Sequence, residues 1–268
     1  MAKIIIAGGQ LMDTATLEDS SAVAANYPLA NLLTIQPGET TRFSTPGSAY
    51  VVVDLGSAKP VTFAGLLAHN GSATGTWRVR AAASEGGLTS APPFDTGGSD
   101  SLYPASGKHD ADVQHSFLSF ASQTYRWWRV DVDDAGNADG YFSLGRLILA
   151  SAWAPSVNFS FGAGLGRIDP STIDEGVGGH LFPLKRPTKR VWTLSFRYQT
   201  EADSLGGQFE LQRQRGASGD VFVVPDPEDD EHLHRRMVQG LMRGTTQPLS
   251  LEFFNRYGFA VRIEELPV

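Results

Sequence analysis

Many side chains in this chain could do chemistry, but few are spaced for it. His232 and His234 lie two apart in the run Glu228-Asp229-Asp230-Glu231-His232-Leu233-His234-Arg235-Arg236. On a strand, residues two apart share a face, so both imidazoles could reach one metal ion. Arg235 and Arg236 sit beside them, and the sequence places no third ligand, so a solvated polar loop is the favoured reading. His109-Asp110-Ala111-Asp112 with His115 poses the same question: carboxylates and imidazoles can hold a metal, yet in a Gly/Pro-rich loop they read as ordinary surface residues. Gly162-x-Gly164-x-Gly166 has the look of a phosphate cradle. A dinucleotide fingerprint needs a strand before it, a helix after it and wider final spacing, and Pro170 argues against an immediate helix. A turn between domains is the plain reading. No G-x-S-x-G elbow is present, and Glu264-Glu265 would face opposite sides of a terminal strand. With no cysteine there is no thiol nucleophile, thiolate site or disulfide. Nothing here groups a donor, an acceptor and a pocket, so no enzyme activity, catalytic residue, metal site or cofactor is expected. Sugar-stacking aromatics remain. Most of Trp77, Trp127, Trp128, Trp153 and Trp192 lie in alternating strands and read as core, whereas Tyr103 and Tyr141 fall in loops and are the better ligand candidates.

The elements that would position these residues are strands. The 268 residues are 41% hydrophobic, which fits one large β domain or two ordinary ones, and 29 Gly with 15 Pro supply turns. A net charge of −7 without a basic tract argues against a nucleic-acid partner. The opening run Ile4 to Ile6 is too short for a signal core or a membrane span and reads as one short strand, so cytoplasmic synthesis without membrane insertion is expected. On Thr76 to Ser84 the period of two puts Trp77, Val79, Ala81 and Ala83 on one face. Trp128, Val130 and Val132 repeat the pattern with Arg129, Asp131 and Asp133 outward. Glu85 to Asp112, broken by glycine and proline pairs, reads as a long loop excursion with a short extended piece at Phe94.

The order Asn26-Tyr27-Pro28-Leu29, Tyr50-Val51-Val52-Val53-Asp54-Leu55-Gly56, Val61 to Leu67, Thr76 to Ser84, Arg126-Trp127-Trp128-Arg129-Val130 and Ser143-Leu144-Gly145-Arg146-Leu147 resembles the galactose-binding-like (discoidin, coagulation-factor type C) jelly roll. The resemblance spans about half the chain, from Asn26 to Trp153, and implies a β-sandwich that binds and does not catalyse. Such modules frequently hold a structural calcium. Asp131, Asp133, Asp134, Asn137 and Asp139 offer the hard oxygen donors it prefers, without the spacing of a known loop.

A second pattern begins after Ala154-Pro155. Arg190 to Tyr198 alternates with Trp192, Leu194, Phe196 and Tyr198 on one face. Thr200 and Asp203 then form a capping box before a short helix weakened by Gly206-Gly207, and strands follow at Asp220 to Val224, Leu249 to Phe254 and Phe259 to Ile263. This half resembles the β domain of tail-tip and distal-tail proteins of long-tailed bacteriophages and gene-transfer agents. The fold expected is all-β: a galactose-binding-like sandwich over 1–153, including the N-terminal strand, and a β-rich tail-assembly domain with one short helix over 154–268. The function implied is a structural component of a phage tail tip or baseplate that anchors receptor-binding parts. Other tail proteins would be its partners, the virion its location, and a homo-oligomeric ring (hexamer or trimer) its state. The alternative is a carbohydrate-binding module of a bacterial surface protein. A surface glycan is a candidate partner in either case, with its sugar and its binding residues unassigned. Edges give a physical reason for the ring: strands as strongly patterned as Arg190–Tyr198 and Phe259–Ile263 are expected to pair between subunits, unless Ile4–Ile6 caps an edge within the monomer.

Overall fold

The computed structural model describes residues 2–103, 114–229, 231–244 and 248–268. Its strands, in chain order, are β1 (Ile5–Gly8), β2 (Thr16–Ser20), β3 (Thr41–Phe43), β4 (Ala49–His69), β5 (Thr76–Ala82), β6 (Phe94–Asp95), β7 (Asp100–Ser101), β8 (His115–Asp133) and β9 (Phe142–Ala150). The second half adds β10 (Gly164–Ile168), β11 (Thr172–Glu175), β12 (Leu181–Leu184), β13 (Lys189–Gln199), β14 (Asp220–Val224), β15 (Val238–Arg243), β16 (Ser250–Phe253) and β17 (Arg256–Glu265), with short helices α1 (Glu210–Arg215) and α2 (Leu233–Arg236). The all-β class is as expected.

The first half is a sandwich whose two layers share their longest strands. β4 pairs with β8 from Ala49 opposite Val132 to Leu67 opposite His115, with register shifts between Asp54 and Lys59 and between Val61 and Phe63. Gly56 takes a left-handed turn at φ 73° in the first shift. The bent ribbon therefore serves both layers, as strands do at the corner of a closed sandwich. One layer joins β2, the start of β4, the end of β8, β5, β6 and β7; the other joins β3, β9, the end of β4 and the start of β8. Trp77, Val79, Trp128 and Val130 from the first layer meet Phe43, Ala64, Leu66, Leu147 and Leu149 from the second in the core. Trp77, Trp128 and Trp192 are all buried, so three of the five tryptophans are core residues as expected.

The second layer is covered on both faces. Phe63, Leu67, Ile148 and Ala150 point away from the sandwich core and pack on Ala7, Phe222, Val224, Leu233 and Met237. That is why Leu147 to Ala150 reads as a continuous apolar run without alternation. The partner is a third sheet, ordered β1-β14-β15-β17-β13-β10, with β16 beside β17. Two placements differ from the sequence reading. The N-terminal strand, counted with the sandwich, pairs with β14 (Ile5 opposite Val224, Gly8 opposite Val221), because Ile4 and Ile6 find their apolar partners in the third sheet's core. The strands expected to leave open edges are interior: β17 lies between β15 and β13, and β13 between β17 and β10. The ends of the sheet are β1 and β10, so β1 does cap within the monomer, and the stated reason for ring formation falls with the expected edges.

A buried polar joint links the halves. Arg146 of β9 is 0% exposed and donates to Asp220 of β14 through Nε at 3.1 Å and Nη2 at 3.0 Å. Arg215 donates to the same carboxylate at 2.6 Å, Gln239 at 3.1 Å, and Asp13 accepts from Arg146 at 2.7 Å and also from Arg215. Two guanidiniums thus face two carboxylates, the pairing that burial of charge demands.

Candidate functional site

The end of the sandwich away from the bend gathers Ala49, His69, Thr76, His115, Asp133 and Phe142, termini of the four strands β4, β5, β8 and β9. An open cleft of about 500 Å³ lies on this rim, lined by Ser48, Tyr50, Arg78, Arg129, Asp131 and Asp133, with Gly97 and Gly98 beside Arg78. The period of two builds it: Trp77 and Val79 go to the core, so Arg78 and Arg80 stand on the outer face opposite Asp131 and Arg129 of β8. Asp131 accepts from Arg80 at 2.7 and 2.9 Å and from Arg129 at 2.8 Å, with Arg78 at 3.7 Å. Arg80 also donates to the Leu88 carbonyl at 3.1 Å, which fixes it. The Arg129 guanidinium covers the Tyr50 ring at 3.8 Å. The Tyr50 hydroxyl donates to Asp19 at 3.0 Å, and this bond raises the phenol's pKa and keeps it protonated. Arg78 and Arg129 against Asp131 and Asp133 leave the cleft without net charge.

Beyond Asp133 the rim continues into the Asp/Asn run considered for calcium. Asp134, 1% exposed, accepts from the Ser72 amide at 2.9 Å, the Ser72 hydroxyl and the Asn137 amide at 2.8 Å. Asp139 accepts from Asn70 at 2.7 Å, and Asp131 belongs to the arginine cluster. These oxygens clasp loops, and among the described residues no group of three or more His, Asp or Glu could hold a metal. Tyr141, singled out from sequence, does reach this rim. Its ring and that of Tyr27 sandwich the Arg42 guanidinium at 3.9 Å on each side. Sequence reading missed Arg42 and Tyr27, since cation–π partners 99 positions apart leave no local signal. Tyr103 is partly buried, which raises its pKa.

The remaining sequence candidates do not converge. His109 to Asp112 lie outside the described residues. His115 is buried at 3% exposure, with Nδ1 accepting from the Ala68 amide at 3.2 Å and its ring edge-on to Phe222. Burial pushes its pKa well below the usual histidine value. His232 is exposed and His234 buried around the helical turn α2, where residues two apart do not share a face. Gly164 and Gly166 belong to strand β10, with no helix after it. Glu265 is buried against Arg190 at 2.7 Å, while Glu264 faces Arg243 and Arg262 at the surface.

No protein-family model matches this sequence, and no curated protein matches it significantly. Among solved structures, a chitosan-binding module from a chitosanase/glucanase of Paenibacillus sp. IK-5 is similar over 54% of this chain and 99% of its own, at 16% identity and a TM-score of 0.38. The lectin domain of lectinolysin, complexed with Lewis B antigen, is similar over 52% of this chain and 94% of its own, at 15% identity and a TM-score of 0.39. The family 32 carbohydrate-binding module of Clostridium perfringens NanJ, in complex with galactose, is similar over 54% and 98%, at 11% identity and a TM-score of 0.37. At such scores these likenesses decide nothing about a ligand, and none of them bears on a phage tail.

Proposed function

We propose that the chain is a non-catalytic binding protein whose sandwich rim holds a neutral carbohydrate. The observation that carries this reading is the charge-balanced cleft between Tyr50, Arg78, Arg129, Asp131 and Asp133. Guanidiniums and carboxylates held on neighbouring strands offer donors and acceptors at fixed spacing, which suits a polyhydroxylated ring and gives no preference to an anion or a cation. The carboxylate most enclosed in the cleft, Asp131, is committed to arginines, so the cleft presents no free acid and base pair for glycoside hydrolysis. A glycan array followed by calorimetry with the best neutral sugar tests the reading. Substituting Arg78→Ala together with Asp133→Ala should weaken binding about tenfold or more, since a hydrogen bond to a charged group is worth roughly 1.5–3 kcal/mol. Absence of any bound glycan, or binding indifferent to the double substitution, would reject it.

A second reading, a structural component of a long-tailed phage tail tip or baseplate, draws on a different observation. The third sheet carries hairpins whose apolar side chains face solvent, as a subunit of a larger assembly would. Mass spectrometry and imaging of purified particles would decide it: a chain missing from the tail ends this reading.

A further inference from the structure

Arg42 is a cation without a counter-ion. It stands in β3 between Thr41 and Phe43, whose side chains are buried, so alternation turns its own outward. The rings of Tyr27 and Tyr141 cover the two faces of its guanidinium, each at 3.9 Å. Each ring is held from its own side of the strand. The Arg42 amide donates to the Tyr27 carbonyl at 3.4 Å, and the Thr41 hydroxyl donates to the Pro28 carbonyl at 2.9 Å. On the other side Asn70 donates to the Tyr141 carbonyl at 3.2 Å and accepts from the Ser143 amide at 2.7 Å. Ser143 lies opposite Arg42. Their backbone groups turn away from each other, those of Arg42 to Tyr27 and Ala24 and those of Ser143 to Asn70. That makes theirs a non-hydrogen-bonded pair, with Cα atoms about 4.5 Å apart and adjacent side chains. Asp139, two residues before Tyr141, is engaged by Asn70 at 2.7 Å, and Glu39 is exposed. Neither pairs with Arg42, and among the described residues no acceptor takes a hydrogen bond from its side chain. Nε is enclosed without a partner. With both faces covered, the edge formed by the two Nη atoms is what remains open. A clasp between loops would be served by an uncharged side chain, without the cost of an enclosed, unpaired donor.

We propose that this edge binds the carboxylate of an acidic sugar. A carboxylate is planar and takes two parallel N–H···O bonds from one guanidinium edge. The tyrosine rings confine such a partner to the guanidinium plane. A tetrahedral sulfate or phosphate would bring oxygens out of that plane toward the ring faces, whose charge is negative. The groups around the edge suit the rest of a sugar. The Tyr27 and Tyr141 phenols and the Ser143 hydroxyl can each donate to and accept from ring hydroxyls. Because the guanidinium already occupies the inner faces of both rings, they leave no apolar slot between them for a peptide side chain. With a chain charge of −7, attraction to an anion is a property of this place and not of the surface as a whole. Tyr27, Arg42 and Tyr141 do not line the charge-balanced cleft. The two sites are therefore distinct, and this one does not depend on the cleft holding a neutral sugar.

The test is a ligand-observed NMR titration of the full chain with sodium glucuronate, beside acetate and sulfate at matched ionic strength. Glucuronate should bind more tightly than either small anion. Arg42→Gln should weaken glucuronate about tenfold or more, since it removes charge-assisted hydrogen bonds, and should leave any neutral-sugar binding in the cleft as it was. Arg42→Lys keeps the charge at this position but loses the planar fork, so it should also bind glucuronate poorly; it carries the test if the glutamine variant does not fold. Glucuronate binding indifferent to Arg42→Gln, or fully retained by Arg42→Lys, would overturn the proposal. So would acetate binding as tightly as glucuronate, which removes the sugar, or sulfate doing so, which removes the planar match. A cleft that binds no neutral sugar leaves each of these outcomes readable.

Discussion

Asp220 carries more of this structure than its place in a hydrophobic strand suggests. It is 0% exposed, and Arg146, Arg215 and Gln239 all donate to it. Asp220→Ala leaves two guanidiniums in the interior with only Asp13 between them, and removing one partner from a buried ion cluster costs about 3–5 kcal/mol. We expect a large drop in the urea midpoint for this variant and a smaller one for Asp220→Asn, which keeps an acceptor oxygen. His115 makes stability depend on pH. Its pKa is depressed by burial and by the charge of Arg190, from the usual 6.5. The unfolded chain therefore binds a proton below pH 6.5 that the folded one refuses. Its contribution is constant above that pH and erodes as pH falls, by up to about 1.4 kcal/mol per unit. Chemical denaturation of His115→Gln, which keeps an acceptor for Ala68, should show a flatter decline between pH 6.5 and about 5 than the wild type. An equal slope in the two proteins would show that other groups set it. At this scale the sequence was least legible: the aspartate and histidine types are visible, but which are buried depends on partners from distant segments.

Single elements were far easier to read, because the period of two is a local property. β5, β13 and β14 fall where alternation and apolar runs place them, and even the two-residue β6 sits at Phe94. The failures have local causes that alternation does not encode. Tyr198 should share a face with Phe196, yet a register shift between Phe196 and Gln199, with Tyr198 at φ 57°, turns it to solvent. The helix after the Thr200–Asp203 cap does form, with Asp203 N donating to Thr200 at 3.1 Å, but it is π-wound over Ala202–Phe209. Gly207 lies against the Trp153 indole, where a Cβ would collide, so this one glycine both weakens the helix and admits the tryptophan. Gly207→Ala should accordingly destabilise, by about 1–3 kcal/mol as overpacking does, although alanine is the better helix former. The β11–β12 arm, which extends the β10–β13 pair outward, is not legible in the sequence because Pro170, Gly176, Gly178, Gly179 and Pro183 read as turns and break any alternation. Replacing residues 171–186 by a short turn should leave the melting temperature of the monomer unchanged, since no residue of β11 or β12 is buried. A fall of many degrees would mean the arm packs on its own chain.

At the scale of the whole molecule, three sheets lie in succession, and the middle one is shared. The two apolar patterns and the proline at 155 signal two halves, but strand patterning records only that a face is apolar. Whether the cover comes from the same half is not written in it. Phe63, Leu67, Ile148 and Ala150 read equally well as sandwich interior, yet they are buried by Phe222, Val224 and Met237, and β1 crosses over to pair with β14. The halves are therefore coupled by an apolar interface, by the Arg146–Asp220 joint and by the first strand of the chain. Such coupling should make unfolding a single cooperative transition in calorimetry, with calorimetric and van't Hoff enthalpies equal. It also sets the fate of a fragment. A chain ending at 153 would expose the outer face of the middle sheet, strand β1 without its partner, and Arg146 without Asp220. Exposed apolar surface and an unpaired edge are what drive aggregation. We expect the 1–153 fragment to precipitate or bind a hydrophobic dye, and a fragment with Phe63→Ser, Leu67→Ser and Ile148→Ser that also lacks residues 2–8 to recover solubility. A soluble, dye-silent 1–153 fragment with the full-length melting temperature would show instead that the sandwich is self-sufficient and the third sheet an accessory.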